Sequence, residues 1–77
     1  MSTYSSGNIT LVHHNDPPEY GVLEDETRIG RIIVVGNAFM YEPNSELRVP
    51  LKTPRSLEGD ERCQALADEV AALLANA

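Results

Sequence analysis

His13, His14, Asp16 and Cys63 are the residues of this chain whose side chains could do metal, acid–base or nucleophilic chemistry. Their spacing argues against each use. His13 and His14 are adjacent, and in an extended strand adjacent side chains point to opposite faces, so they do not converge on one metal ion. His14 and Asp16 can share a side, but a pair of ligands does not make a metal site. As a general base, His14 would need an orienting partner and a pocket, and no sequence pattern supplies either. Cys63 falls on an apolar helical stripe, the setting of a small buried hydrophobe and not of a nucleophile. The acidic pairs Asp60–Glu61 and Asp68–Glu69 read as a helix start and a solvated face, and Gly30 and Gly36 match no phosphate-loop spacing. Tyr20, Phe39 and Tyr41 are too few, in too acidic a setting, to form a base-stacking platform. The expectation is a non-enzymatic chain with no cofactor and no metal.

The elements that would position these residues follow from turn signals and periodicity. Residues 1–7, "MSTYSSG", are small and polar and are expected to be a frayed tail, with residues 8–77 forming a single domain. "NITLVHH" reads as a short strand stopped by "NDPP", whose prolines lack backbone donors. "EYGVLE" and "TRIGRIIVV" read as two strands joined at Asp25 and Glu26, and Gly36-Asn37 as a tight hairpin turn into "AFMYE". "ELRVPL" alternates Leu47, Val49 and Leu51 against Arg48 and Pro50, and Pro50 makes it an edge strand. Beyond it, Cys63, Leu66, Val70, Leu73 and Leu74 recur at helical spacing. Asp60 is the expected N-cap of that helix, with Ser56 as its rival. The predicted fold is therefore α+β: an antiparallel β-meander of four to five strands with one C-terminal helix packed on one face.

The four β-branched residues Ile32, Ile33, Val34 and Val35 raise the question of what covers each face. With a two-residue turn at Gly36-Asn37, opposed pairs share a face, which places Ile33, Val35, Ala38 and Met40 on one side and Ile32, Val34, Phe39 and Tyr41 on the other. Pairing across Asp25-Glu26 adds Val22 and Ile29 to the first face and Leu23 and Arg28 to the second. The helix is assigned to the first face. The second is then an apolar surface flanked by Arg28 and Arg48, with the aromatic and arginine composition of an interface. Two alternatives compete with this. The N-terminal segment could fold over the second face through Ile9, Leu11 and Val12, or a bulge at Gly30 could invert the N-terminal half of its strand.

The formal charge of −6 is unevenly placed. Asp16, Glu19, Glu24, Asp25 and Glu26 precede the first basic residue, and all Lys and Arg lie between Arg28 and Arg62, where acids nearly cancel them. Direct nucleic-acid binding is disfavoured without a net basic stripe, although Arg28, Arg48, Lys52 and Arg55 could form a local patch. The lone Cys63 excludes an internal disulfide, so a short chain with a thin core is expected to gain stability from oligomerisation or a partner. No apolar run is long enough to span a membrane and no signal-peptide pattern opens the chain, so a cytoplasmic protein is expected.

Length, acidity, the hairpin pattern "YGVLEDETRIGRI" and the C-terminal helix together resemble the short acidic proteins encoded by phages and mobile elements, anti-CRISPR inhibitors among them. The resemblance implies inhibition by occupying a partner's surface, without catalysis, and transfers no individual residue. Two functions are carried forward. The first is a protein-binding module whose contact residues are Ile32, Val34, Phe39, Tyr41 and Arg28, with Glu24, Asp25 and Glu26 addressing a partner that is itself basic and nucleic-acid-binding. The second is a homodimer that buries the same sheet face.

Overall fold

The computed structural model of this chain describes residues 2–15, 18–44 and 48–76. Among them are β1 (Ser2–Ser6), β2 (Ile9–Asn15), β3 (Pro18–Glu24), β4 (Thr27–Val35), β5 (Ala38–Pro43), β6 (Val49–Pro50) and α1 (Gly59–Ala75). The strands form one sheet in sequence order, each antiparallel to the next. The α+β meander with a C-terminal helix is thus the observed architecture, with six strands among the described residues in place of four or five. The added strand is β1. Residues 2–6, expected to fray, pair with β2 from Ser2 opposite His13 to Ser6 opposite Ile9. Tyr4 points inward on this strand, packs against the core, and donates its hydroxyl to Asp60 Oδ1 at 2.8 Å. Asp60 therefore sits in the first turn of α1 and not at its N-cap, which is Glu58 without a side-chain capping bond.

Two turns set the register. Gly36-Asn37 joins β4 to β5 with Val35 opposite Ala38, Val34 opposite Phe39, Ile33 opposite Met40 and Ile32 opposite Tyr41, as the alternation predicts. At the other hairpin Leu23 opposes Arg28, but Val22 opposes Gly30 instead of Ile29. One extra residue is thus inserted in β4, and a β-bulge of this kind sends the strand beyond it to the opposite parity. The interruption leaves two carbonyls off the regular ladder, and Asn44 meets both. Its backbone N–H donates to Ile29 O at 3.0 Å and its Nδ2 to Arg28 O at 3.0 Å.

The turn between β3 and β4 is built from Asp25 at φ 49° and Glu26 at φ 72°, both in the left-handed region. A two-residue hairpin needs such angles to match the twist of its strands, and glycine or asparagine normally supplies them. A side chain with a Cβ costs about 1–2 kcal/mol there. Glu26→Gly is therefore expected to stabilise the domain by about 1 kcal/mol, which raises the melting temperature by about 4–8 °C in a domain of this size. A thermal melt followed by circular dichroism checks it. An unchanged or lower midpoint would show that the turn stores no strain.

Helix α1 runs over the β1–β2 side of the sheet, contacting both strands. It buries Cys63, Leu66, Ala67 and Val70, most of the stripe that the periodicity marks out. The segment leaving β6 covers the β4–β5 side of the same face with Leu51 and Thr53. Glu69 of the helix ties that segment down. Its carboxylate accepts hydrogen bonds from the backbone N–H groups of Lys52 and Thr53 and from Thr53 Oγ1 at 2.7 Å. β6 is a two-residue edge strand ending at Pro50, as a proline without a donor requires. Leu47, the third residue of its expected alternation, lies outside the described residues.

Candidate interaction surface

The inner face under α1 carries Ile9, Leu11, Tyr20, Val22, Ile32, Phe39 and Tyr41 in a single buried cluster. This reverses the face assignment made from alternation alone. Ile32, Phe39 and Tyr41, expected on an uncovered contact surface, are 0%, 1% and 2% exposed and form the centre of the core. Val34 shares their parity but lies near the β4–β5 turn, where it is 46% exposed. The N-terminal segment contributes Ile9 and Leu11 to this same core as part of the sheet, and does not fold back over a face. The residue that decides between the faces is Arg31. It stands opposite Glu42 on the side of Ile33 and Met40, and a cross-strand ion pair there marks that side as the wet one.

Two cations lie over the Phe39 ring. The Arg55 and Arg62 guanidinium carbons lie 5.7 and 5.6 Å from its ring centroid. Arg62 is fixed by donating to Leu57 O at 2.7 Å and to Arg55 O at 3.0 Å, and Arg55 by donating to Gly36 O at 3.2 Å. These two arginines serve the core of the covered face, whereas Arg28 and Arg48 belong to the opposite one. The local basic patch of Arg28, Arg48, Lys52 and Arg55 is thereby divided between two sides of the molecule.

On the open face no described element crosses the sheet. Its central feature is a ladder of alternating charge that spans four neighbouring segments. Arg31 Nη1 lies 3.2 Å from Glu19 Oε2, Arg31 Nε lies 2.8 Å from Glu42 Oε1, and Arg48 Nε lies 2.7 Å from Glu42 Oε2. The two arginines hold the Glu42 carboxyl below the usual carboxylate range, Arg48 most strongly and Arg31 next. Beside the ladder, toward the Gly36 turn, Ile33 and Met40 stand opposite each other, followed by Val35 and Ala38. Val35 is 38% exposed, one of the two large apolar side chains among the described residues that reach this level, Val34 being the other. On the other side of the ladder, the bulge brings Arg28 onto the open face next to Gly21, with His14 on its far side. A Cβ at Gly21 would lie 3.7 Å from His14 Nε2 and 3.8 Å from Arg28 Nη1.

The remaining chemistry-bearing residues have structural settings. His13 faces inward and stacks on Tyr20, with ring centroids 4.7 Å apart and planes at 17°, so the two histidines do lie on opposite faces. Asp16 lies outside the described residues. Cys63 is buried, with its thiol 3.7 Å from the Tyr20 hydroxyl. Burial first, and the contact with Cys63 second, push the Tyr20 hydroxyl up to about 12. Of the acidic cluster, Glu24 ends β3 opposite Thr27, and its charge adds to the burial that raises the Tyr41 hydroxyl. Asp25 and Glu26 project from the exposed turn itself. Among the described residues no three His, Cys, Asp or Glu side chains gather as a metal site, and no helix is long and apolar enough to cross a membrane. No protein-family model, curated protein or solved structure matches the chain.

Proposed function

We propose that this chain is a non-catalytic protein-binding module whose contact surface is the open face of its sheet. The observation that carries the reading is the pairing of apolar and ionic groups on that face. Ile33, Val35, Ala38 and Met40 supply area to remove from water, while Glu19, Arg31, Glu42 and Arg48 supply directional contacts already fixed in place by one another. Preorganised charges lose less freedom on association than unattached side chains do. The reading keeps the idea of an interface, Arg28 included, and moves its apolar part from the predicted face to the other one.

The acidic turn supports a second contribution. Asp25 and Glu26 occupy strained backbone in a chain that could relieve it with Asn-Gly, and strain held at an exposed turn points to use. Together with Glu24 these residues form a local negative tip that speeds encounter with a basic partner, and the resemblance to phage-type inhibitors makes blocking that partner's surface the expected outcome. Affinity capture in extract of the native host tests the surface assignment. The wild-type chain should retain a protein that Ile33→Asp/Met40→Asp, folded by circular dichroism, fails to retain. Equal retention by both would remove the open face from consideration.

A further inference from the structure

The centre of the open face is complementary to itself. Arg31 on β4 stands opposite Glu42 on β5 and forms an ion pair with it. A two-fold axis lying in the plane of the face, parallel to the strands and midway between β4 and β5, keeps each cross-strand row in place and exchanges its two ends. Arg31 then lies over Glu42 of a second copy and Glu42 over its Arg31. Such an isologous contact needs one patch to be complementary to itself, and this pair meets that condition.

The apolar residues obey the same axis. Ile33 and Met40 are opposed across β4 and β5, as are Val35 and Ala38, so the rotation that sets Arg31 on Glu42 also sets Ile33 on Met40 and Val35 on Ala38. The strands of the two sheets then run nearly aligned, the usual relation of sheets packed face to face. We infer that the open face is covered by a second copy of this chain, with the dimer axis passing between Arg31 and Glu42. This rests on the reading of that face as a contact surface: the second copy holds it in the purified chain, and a partner met in extract displaces that copy. On a molecule 27 × 25 × 22 Å across, one face offers less than the roughly 800 Å² per partner of a standard interface, so the dimer is expected to exchange in the micromolar range.

Sedimentation equilibrium on the purified chain across the micromolar range tests this. The expected result is a mass approaching twice 8.5 kDa. Arg31→Glu and Glu42→Arg, each alone, place like charges across the axis and should raise the dissociation constant at least about tenfold. An equimolar mixture of the two variants should dimerise again, because each then supplies the charge that the other lacks. Should either variant lose its fold through the broken intramolecular pair, Met40→Asp takes its place: it keeps the ladder and is expected to be monomeric with an unchanged circular dichroism spectrum. A wild-type chain that remains monomeric overturns the inference, and so do variants that dimerise as before or a mixture that stays monomeric. Monomeric wild-type chain that still captures a foreign protein through the open face would end the dimer alone, whereas capture indifferent to that face would end the underlying reading.

Discussion

Phe39→Ala is expected to remove a large part of the stability of the domain. A domain of this length has a stability of about 4–12 kcal/mol, and truncating a fully buried Phe typically costs about 3–5 kcal/mol through lost transfer energy and the cavity left behind. Phe39 is 1% exposed and has the largest of the fully buried side chains. Its removal also strands the Arg55 and Arg62 guanidinium groups that lie over its ring. The melting midpoint should fall by at least about 12 °C. Met40 is its neighbour in β5 but faces the other way, and Met40→Ala should cost less than about 1 kcal/mol. The pair of variants measures which face the helix covers. A Met40→Ala loss equal to or larger than that of Phe39→Ala would reverse the assignment.

That assignment is also where the sequence misleads, and the cause is a single residue. The two-residue turn at Gly36-Asn37, the apolar stripe of α1 and the edge position of Pro50 are all local signals, and each predicts the observed element. Which face of β4 turns inward is not local. Strand alternation makes Ile32 and Ile33 equivalent, and the choice depends on Arg28, which falls with Ile32 by simple counting. The inserted residue beside Gly30 puts Arg28 and Arg31 together on the open face and frees the Ile32 side for the core. Arg31 opposite Glu42 was the legible cue, since a cross-strand ion pair belongs on the wet face. β1 was hidden for a different reason: "STYSS" has one large apolar residue, and only the pairing of Tyr4 with the start of α1 shows why it is held.

The open face was accordingly half visible. Apolar surplus on a small sheet with one helix is a sound reason to expect an uncovered face, because one helix cannot cover both sides. The identity of the residues on it required the register. Once the bulge is placed, the alternating order Glu19, Arg31, Glu42, Arg48 emerges from four segments that are scattered in the sequence, and no periodicity in the chain announces it.

Gly30 is the position on which this register depends, and Gly30→Ala is expected to destabilise the domain by about 3 kcal/mol, the upper end of ordinary overpacking costs. A Cβ there would lie 2.5 Å from the Glu42 carbonyl oxygen, 2.9 Å from Tyr41 Cε1 and 3.0 Å from Pro43 Cα. Two of these three are backbone atoms of the paired strand, so a rotamer change cannot relieve the contact and β5 must move. The Tyr41 ring lies over the bare glycine and fills the space a side chain would need, an arrangement that stabilises glycine within sheets. Gly21 provides the control, one strand away on the opposite face. Its added Cβ would meet only the side-chain atoms of His14 and Arg28, at 3.7–3.9 Å. Those are ordinary contacts, and alanine suits a strand interior better than glycine, so Gly21→Ala should melt at or above the wild-type temperature. Equal melting temperatures for the two alanine variants would show that the close approach of β4 and β5 at Gly30 does not govern the fold.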